Sequence, residues 1–330
     1  MKNALTRFAA SGKSQHGLKF YLSLLGWSLS LVTLALMAMV LWKNRELLAQ
    51  AFTDTSLVWL LASFLLYLLT SLVYVLIWHL VARTYGAGES FIQDFTTLSL
   101  VSAARYLPGA VWSFLGLMWL SNKIGVTKRS MVTIALTTQG LHLSIAFWLS
   151  CIGLILVAPS ANKGESWSIA LVVGFSSLLM LLLLAVYLRY FYPFLKKFNL
   201  MSGMYSSRKI GNLPLAGITS LAVWGLNGLR LTLLLYTFAP SPEYSRLPYL
   251  LFYCIWVSSI TSSASNLFFF LPLGLGAVEL SLLTLLGLVL PSSPTILLVV
   301  TLNRILQVAN DLIVALYAVS RELSSQLRQI

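Results

Sequence analysis

The sequence predicts an all-α, polytopic integral membrane protein, a single helix bundle spanning residues 1–330 with two broken or re-entrant helix modules inside it. Three observations carry that fold class. Of the 330 residues, 58% are hydrophobic and only 9% charged, against about 45–50% and about 25% in an average globular domain. The apolar residues come in runs near the length of about 20 that a bilayer-crossing helix needs. Two of those runs are interrupted by proline and glycine. No polar stretch approaches the usual size of a soluble domain, roughly 50 residues or more, which disfavours an ordinary water-soluble enzyme.

In chain order, residues 1–19 form a basic tail. The first apolar run, Phe20 to Trp42, spans 23 residues; a signal-peptide core has about 7–15, so a retained span is expected. Six further spans follow: Leu57 to Val81, Ser130 to Ala158, Trp167 to Phe191, Leu213 to Ala239, Leu247 to Phe270 and Pro294 to Val319. The interrupted runs are Phe95 to Leu120, broken at Pro108-Gly109, and Leu271 to Leu290, broken at Pro272-Leu273-Gly274-Leu275-Gly276. Cys151 and Cys254 lie far apart in apolar runs, without metal-ligand spacing, and read as small core residues.

The formal charge of +13 invites a nucleic-acid reading, but the distribution of the 22 Lys and Arg residues favours another. With the N-terminus in the cytoplasm, 15 fall in cytoplasmic segments and four outside (Lys43, Arg45, Lys163, Arg246), leaving Arg105, Arg230 and Arg304 in apolar context. That is the positive-inside bias of a membrane protein. No nucleic-acid partner is expected. The basic loop Lys196, Lys197, Arg208 and Lys209 reads first as an orientation signal, and anionic lipid is a second use for it.

The interruptions form two similar modules, 95–142 and 271–311. The first carries Arg105, Leu107-Pro108-Gly109-Ala110-Val111 and Trp112, then a helix reaching Gln139 and His142. The second carries Pro272-Leu273-Gly274-Leu275-Gly276-Ala277-Val278-Glu279, then a helix reaching Asn303, Arg304 and Asp311. Pro108 precedes Gln139 by 31 residues and Pro272 precedes Arg304 by 32, as an internal duplication would leave them. A helix broken in the bilayer frees backbone groups that must face protein or a wet cavity, and paired breaks mark transport-type sites. Proline at the start of a half-helix leaves the following N–H groups and the positive end of the dipole aimed at an anion.

The motifs resemble the flippase-like, lysylphosphatidylglycerol synthase transmembrane-region family, which includes the membrane half of the multiple peptide resistance factor. The resemblance covers essentially the whole chain. It rests on a basic-aromatic-Leu-Pro-Gly-x-x-Trp segment at Arg105 to Trp112 and a Pro-x-Gly-x-Gly-x-x-Glu segment at Pro272 to Glu279, followed by Arg304 in the next helix. Two positions depart from the family pattern: Leu117 where a basic residue is frequent, and Gln139 where an acidic one is. The resemblance implies a bacterial inner-membrane protein that moves a phospholipid or lipid-linked precursor across the bilayer. Some relatives join this region to a catalytic domain, which makes a separately encoded lipid-modifying enzyme the implied partner.

Five ionisable residues fall inside apolar segments: Arg105, Arg230, Glu279, Arg304 and Asp311. At about 2.5–3.5 kcal/mol each, they cannot all face lipid and should face one another or a cavity. Arg304, Gln307 and Asp311 share one helical face by their spacing, beside Asn303 and Asn310. Two readings stand side by side. Either Glu279 or Asp311 neutralises Arg304 while closing the second module, or Arg304 and Arg105 are bidentate ligands of a headgroup phosphate with Glu279 positioning them or competing for them. The substrate-binding candidates are therefore Arg105, Pro108, Gly109, Trp112, Gln139, His142, Pro272, Gly274, Gly276, Glu279, Arg304 and Asp311, with Arg230 behind them. His79 reads as an interfacial residue beside Trp78. No HExxH pair, Walker loop or nucleophile elbow is present, so no metal, no cofactor and no catalytic residue is expected. The alternative function is a membrane transferase, or a subunit of one, acting on lipid or polyprenyl-phosphate headgroups. Glu89 and Asp94 would be its least implausible acids.

Overall fold

A computed structural model describes residues 54–87, 90–103, 126–157, 211–238, 247–267, 276–288 and 293–327, with scattered positions at 35–49 and 116–121. Seven helices make up these segments: α1 (Asp54–Thr84), α2 (Phe91–Ala103), α3 (Lys128–Val157), α4 (Leu213–Tyr236), α5 (Leu247–Leu267), α6 (Ala277–Gly287) and α7 (Ser293–Leu327). No strand occurs among the described residues. Five helices are long and apolar enough to cross a membrane, over Leu57–Thr84, Ser130–Gly153, Leu213–Tyr236, Leu247–Asn266 and Thr295–Ser324. The protein is an α-helical, multi-pass membrane bundle. The expected spans Phe20 to Trp42 and Trp167 to Phe191 lie outside the described helices.

Three helices begin with the same signal, a proline at the second helical position: Pro214 in α4, Pro248 in α5 and Pro294 in α7. The first turn has no intrahelical partner for its N–H groups, so the missing donor costs nothing there. Before α4 the chain turns at Gly211, whose φ of +55° disfavours any side chain. The turn brings the Asn212 amide to donate to Thr84 Oγ1 at 3.1 Å, docking the start of α4 on the end of α1.

The outer surface of α1 is an apolar stripe. On α1 the exposed residues Val58, Leu61, Leu65, Leu69, Leu72 and Leu76 recur every three or four positions. Such a stripe would be a liability in water and is the ordinary lipid-facing surface of a membrane helix. The inner faces meet in two apolar clusters. One joins α1, α2, α3 and the start of α4 around Ile77, Val81, Met131, Ile134 and Val223. The other joins α4 to α7 around Leu231, Tyr253, Trp256, Leu282 and Val299. Cys254 lies fully inside the second cluster, as expected, whereas Cys151 is half-buried.

Helix approach is set by small residues, as membrane packing favours. A Cβ on Gly228 of α4 would stand 2.7 Å from the backbone nitrogen and Cα of Ile255, so α4 and α5 touch backbone to side-chain face at that point. Gly153 of α3 likewise lies beneath the Trp256 ring, whose indole N–H donates to the Ser150 carbonyl at 3.0 Å.

Candidate functional site

Between the two apolar clusters lies a cavity of about 610 Å³ to which all seven described helices contribute lining. Its wall is built from the inner stripes: Tyr67, Ser71, Tyr74 and Trp78 of α1, Gln139 and His142 of α3, Trp224, Asn227 and Arg230 of α4, Ser262 and Asn266 of α5, and Asn303, Gln307, Asn310 and Asp311 of α7. Apart from the adjacent Asn310 and Asp311, the spacing within each group is three or four residues, so helical periodicity turns these polar groups inward. The volume is in the range of small-molecule sites, about 300–1,000 Å³.

In the second module a buried acid and a buried arginine meet. Gly276, at φ +88°, is the N-cap of α6, and its amide donates to Glu279 Oε2 at 2.7 Å. The other oxygen of the same carboxylate, Oε1, accepts from Arg304 Nε at 2.7 Å. Arg304 Nη1 donates to Gln307 Oε1 at 2.8 Å, one turn further along α7. Of the two acids that sequence offers Arg304, Glu279 is the one bonded to it. The pair is buried, and neither Glu279 nor Arg304 is among the residues lining the cavity. The described helix α6 starts at Ala277, five residues after Pro272, and the amide of its N-cap is satisfied by the helix's own third residue. Pro272, where the sequence places the start of the half-helix, lies outside the described residues; the first described turn is closed by a capping-box carboxylate.

Arg230 presents the opposite picture. Its side chain is 6% exposed and lines the cavity. Nη1 donates to Asn303 Oδ1 at 2.6 Å, and the guanidinium carbon lies 4.4 Å from the centre of the Tyr67 ring, a cation–π contact. Nε has no acceptor among the described residues. The Arg230 carbonyl accepts from Ser63 Oγ at 3.0 Å, fixing the backbone beneath it against α1.

Gln139 and His142 of the first module contribute another part of the wall. Tyr74 OH donates to Gln139 Oε1 at 3.1 Å, and Gln139 Nε2 donates to Asn266 Oδ1 at 2.9 Å, a relay across α1, α3 and α5. His142 stacks on Trp224 with ring centres 4.4 Å apart and meets Ser220 Oγ at 2.7 Å through Nδ1. Gln139 and His142 therefore both line the cavity, and His142 is also a satisfied bundle residue. Asp311 is buried on the same wall, where its Oδ1 accepts from Asn310 Nδ2 at 3.2 Å. Asn310 Oδ1 in turn accepts from Ser71 Oγ at 3.2 Å.

His79, near the end of α1, has an acidic partner. Its Nδ1 meets Asp94 Oδ2 at 2.6 Å, joining α1 to α2. Burial pushes the Asp94 carboxyl above the ordinary carboxylate value, against the lowering pull of the bond with His79. Arg105, Pro108, Gly109, Trp112, Pro272, Gly274 and Glu89 lie outside the described residues, as do both proline breaks. Among the described residues no three His, Cys, Asp or Glu side chains converge as metal ligands do.

Several lining residues carry no flag in the sequence. Tyr67, Ser71 and Tyr74 are ordinary in a membrane span, and only their spacing of four and three residues, continued to Trp78, marks one face. Asn227 and Arg230 share that spacing on α4, as do Asn303, Gln307 and Asn310 on α7. Neither a family model, nor a curated protein, nor a solved structure matches this chain.

Proposed function

We propose that the protein is a flippase-like lipid translocase, which carries the polar headgroup of a phospholipid or lipid-linked precursor through the bilayer in the cavity between α1 and α7. The observation that supports this reading is the polar lining of a cavity walled by helices whose outer faces are apolar. Polar side chains are costly in hydrocarbon, and a bundle that gathers them on one inner surface has made a path for something polar. The headgroup travels inside while its acyl chains stay in lipid.

The reading extends to a bacterial inner membrane with the N-terminus in the cytoplasm, supported by the charge bias of the loops. A separately encoded lipid-modifying enzyme, supplying or consuming the transported lipid, is the partner it implies. Reconstitution tests it. Purified protein in vesicles of neutral phospholipid, doped with fluorescent lipids of several headgroups, should speed their equilibration between leaflets, read by a membrane-impermeant quencher. Rates equal to those of protein-free vesicles for every headgroup, with and without an imposed proton gradient, overturn the translocase.

A further inference from the structure

We infer that Arg230 is the anion receptor of this cavity, gripping a phosphate-type oxyanion side-on through the Nε and Nη2 edge of its guanidinium. The inference rests on the headgroup reading of the cavity and adds to it a residue and a chemical class. Four observations meet at this side chain. It is buried at 6% exposure and lines the cavity. Its Nη1 is occupied by Asn303, which leaves the opposite edge of the fork, and on that edge Nε has no acceptor among the described residues. Its plane is held by the Tyr67 ring at 4.4 Å, and its backbone by Ser63. No carboxylate among the described residues pairs with it, whereas Arg304 has Glu279.

A guanidinium keeps its charge in proteins, and a buried charge without a counter-charge is among the most expensive groups a fold can hold. Asn303 and Tyr67 offset part of that cost with a dipole and a quadrupole, and neither supplies a negative charge. An oxyanion does, and the free edge matches it: two parallel N–H donors fit two oxygens of a phosphate. The neighbouring cavity wall adds the side-chain amides of Asn227 and Gln307, donors for the oxygens that the guanidinium leaves. The Glu279–Arg304 pair differs, because each oxygen of Glu279 already accepts a hydrogen bond and Arg304 is paired and off the wall.

The shared chemistry is a phosphate mono- or diester, whether on a lipid or free in water. The experiment is thermal unfolding of the full chain in a neutral maltoside detergent, titrated with dioctanoyl phosphatidic acid, dioctanoylglycerol or inorganic phosphate. The phosphatidic acid should raise the midpoint saturably and the diacylglycerol should not. A rise with inorganic phosphate identifies a free oxyanion as sufficient; a rise confined to the phosphatidic acid identifies the lipid headgroup. Arg230→Gln should weaken the response at least tenfold, with Arg230→Lys, which keeps the charge and loses the fork, in between. Asn303→Asp covers the case in which Arg230→Gln does not fold: it places a carboxylate at Nη1 without removing the arginine and should abolish the response. Equal responses to phosphatidic acid and diacylglycerol, no response to either phosphate probe, or wild-type affinity in folded Arg230→Gln or Asn303→Asp overturns the receptor. Anion binding that depends on Arg230 in a protein that moves no lipid keeps the receptor and removes the translocase.

Discussion

The Glu279 carboxylate meets Arg304 Nε at 2.7 Å across the seam between α6 and α7, while its second oxygen closes the N-terminus of α6. One acid thus ends a helix and neutralises a buried arginine. Removing either partner alone leaves an uncompensated buried charge, at about 3–5 kcal/mol. Arg304→Met and Glu279→Gln should each lower the unfolding midpoint and the yield of folded protein. The double variant should recover much of both, because it removes the two charges together. Thermal unfolding of all four proteins in one detergent checks this; a double variant as weak as the sum of the singles would show that the two residues do not act as a pair.

A second expectation concerns helix approach. Gly228→Ala puts a methyl group 2.7 Å from the Ile255 backbone, and the listener to that clash is the α4–α5 seam beneath the cavity. Overpacking of this kind costs about 1–3 kcal/mol. Gly225, one turn earlier on the same helix, has nothing within 4 Å of a Cβ, so Gly225→Ala should be neutral or slightly stabilising through helix propensity. Equal midpoints for the two variants would mean that the seam is looser than its geometry states.

What the sequence discloses and what it conceals divide along physical lines. Span lengths are a local property of hydropathy, so α1, α3, α4, α5 and α7 all lie where apolar runs predict them. The shared face of Arg304, Gln307 and Asp311 is equally local, and the Arg304–Gln307 bond follows from it. The choice of Glu279 over Asp311 as partner is tertiary, decided by how α6 docks on α7. Arg230 ranks behind Arg304 in the sequence because a lone charge in an apolar span does not say which way it faces or who meets it. Its two contacts, Asn303 and Tyr67, come from 73 and 163 residues away. Separations of that size leave no local trace.

The relay Tyr74–Gln139–Asn266 ties α1, α3 and α5 on the cavity wall. Polar bonds between membrane helices average about 0.6 kcal/mol and reach about 1.7. Tyr74→Phe and Asn266→Leu should each destabilise modestly, and the double variant by less than the sum, because both lose their meaning once Gln139 is unheld at one end. A double-mutant cycle on the unfolding midpoint measures the coupling. Strict additivity would show that the two bonds form independently.

The inner and outer faces of α1 and α5 make opposite predictions for chemical access. Leu65 is 63% exposed but on the apolar stripe, whereas Ser262 is half-buried and lines the cavity. Thiol labelling proceeds through the thiolate, which needs water and a polar surrounding. In a background with Cys151→Ala and Cys254→Ala, Ser262→Cys in vesicles should therefore react with a membrane-impermeant methanethiosulfonate, and Leu65→Cys should not, although it is the more exposed. Phosphatidic acid should slow the Ser262→Cys reaction by occupying the same space. Fast labelling at Leu65 with none at Ser262 would place water outside the bundle and hydrocarbon within it, which is incompatible with both the membrane reading of the stripe and a headgroup path through the cavity.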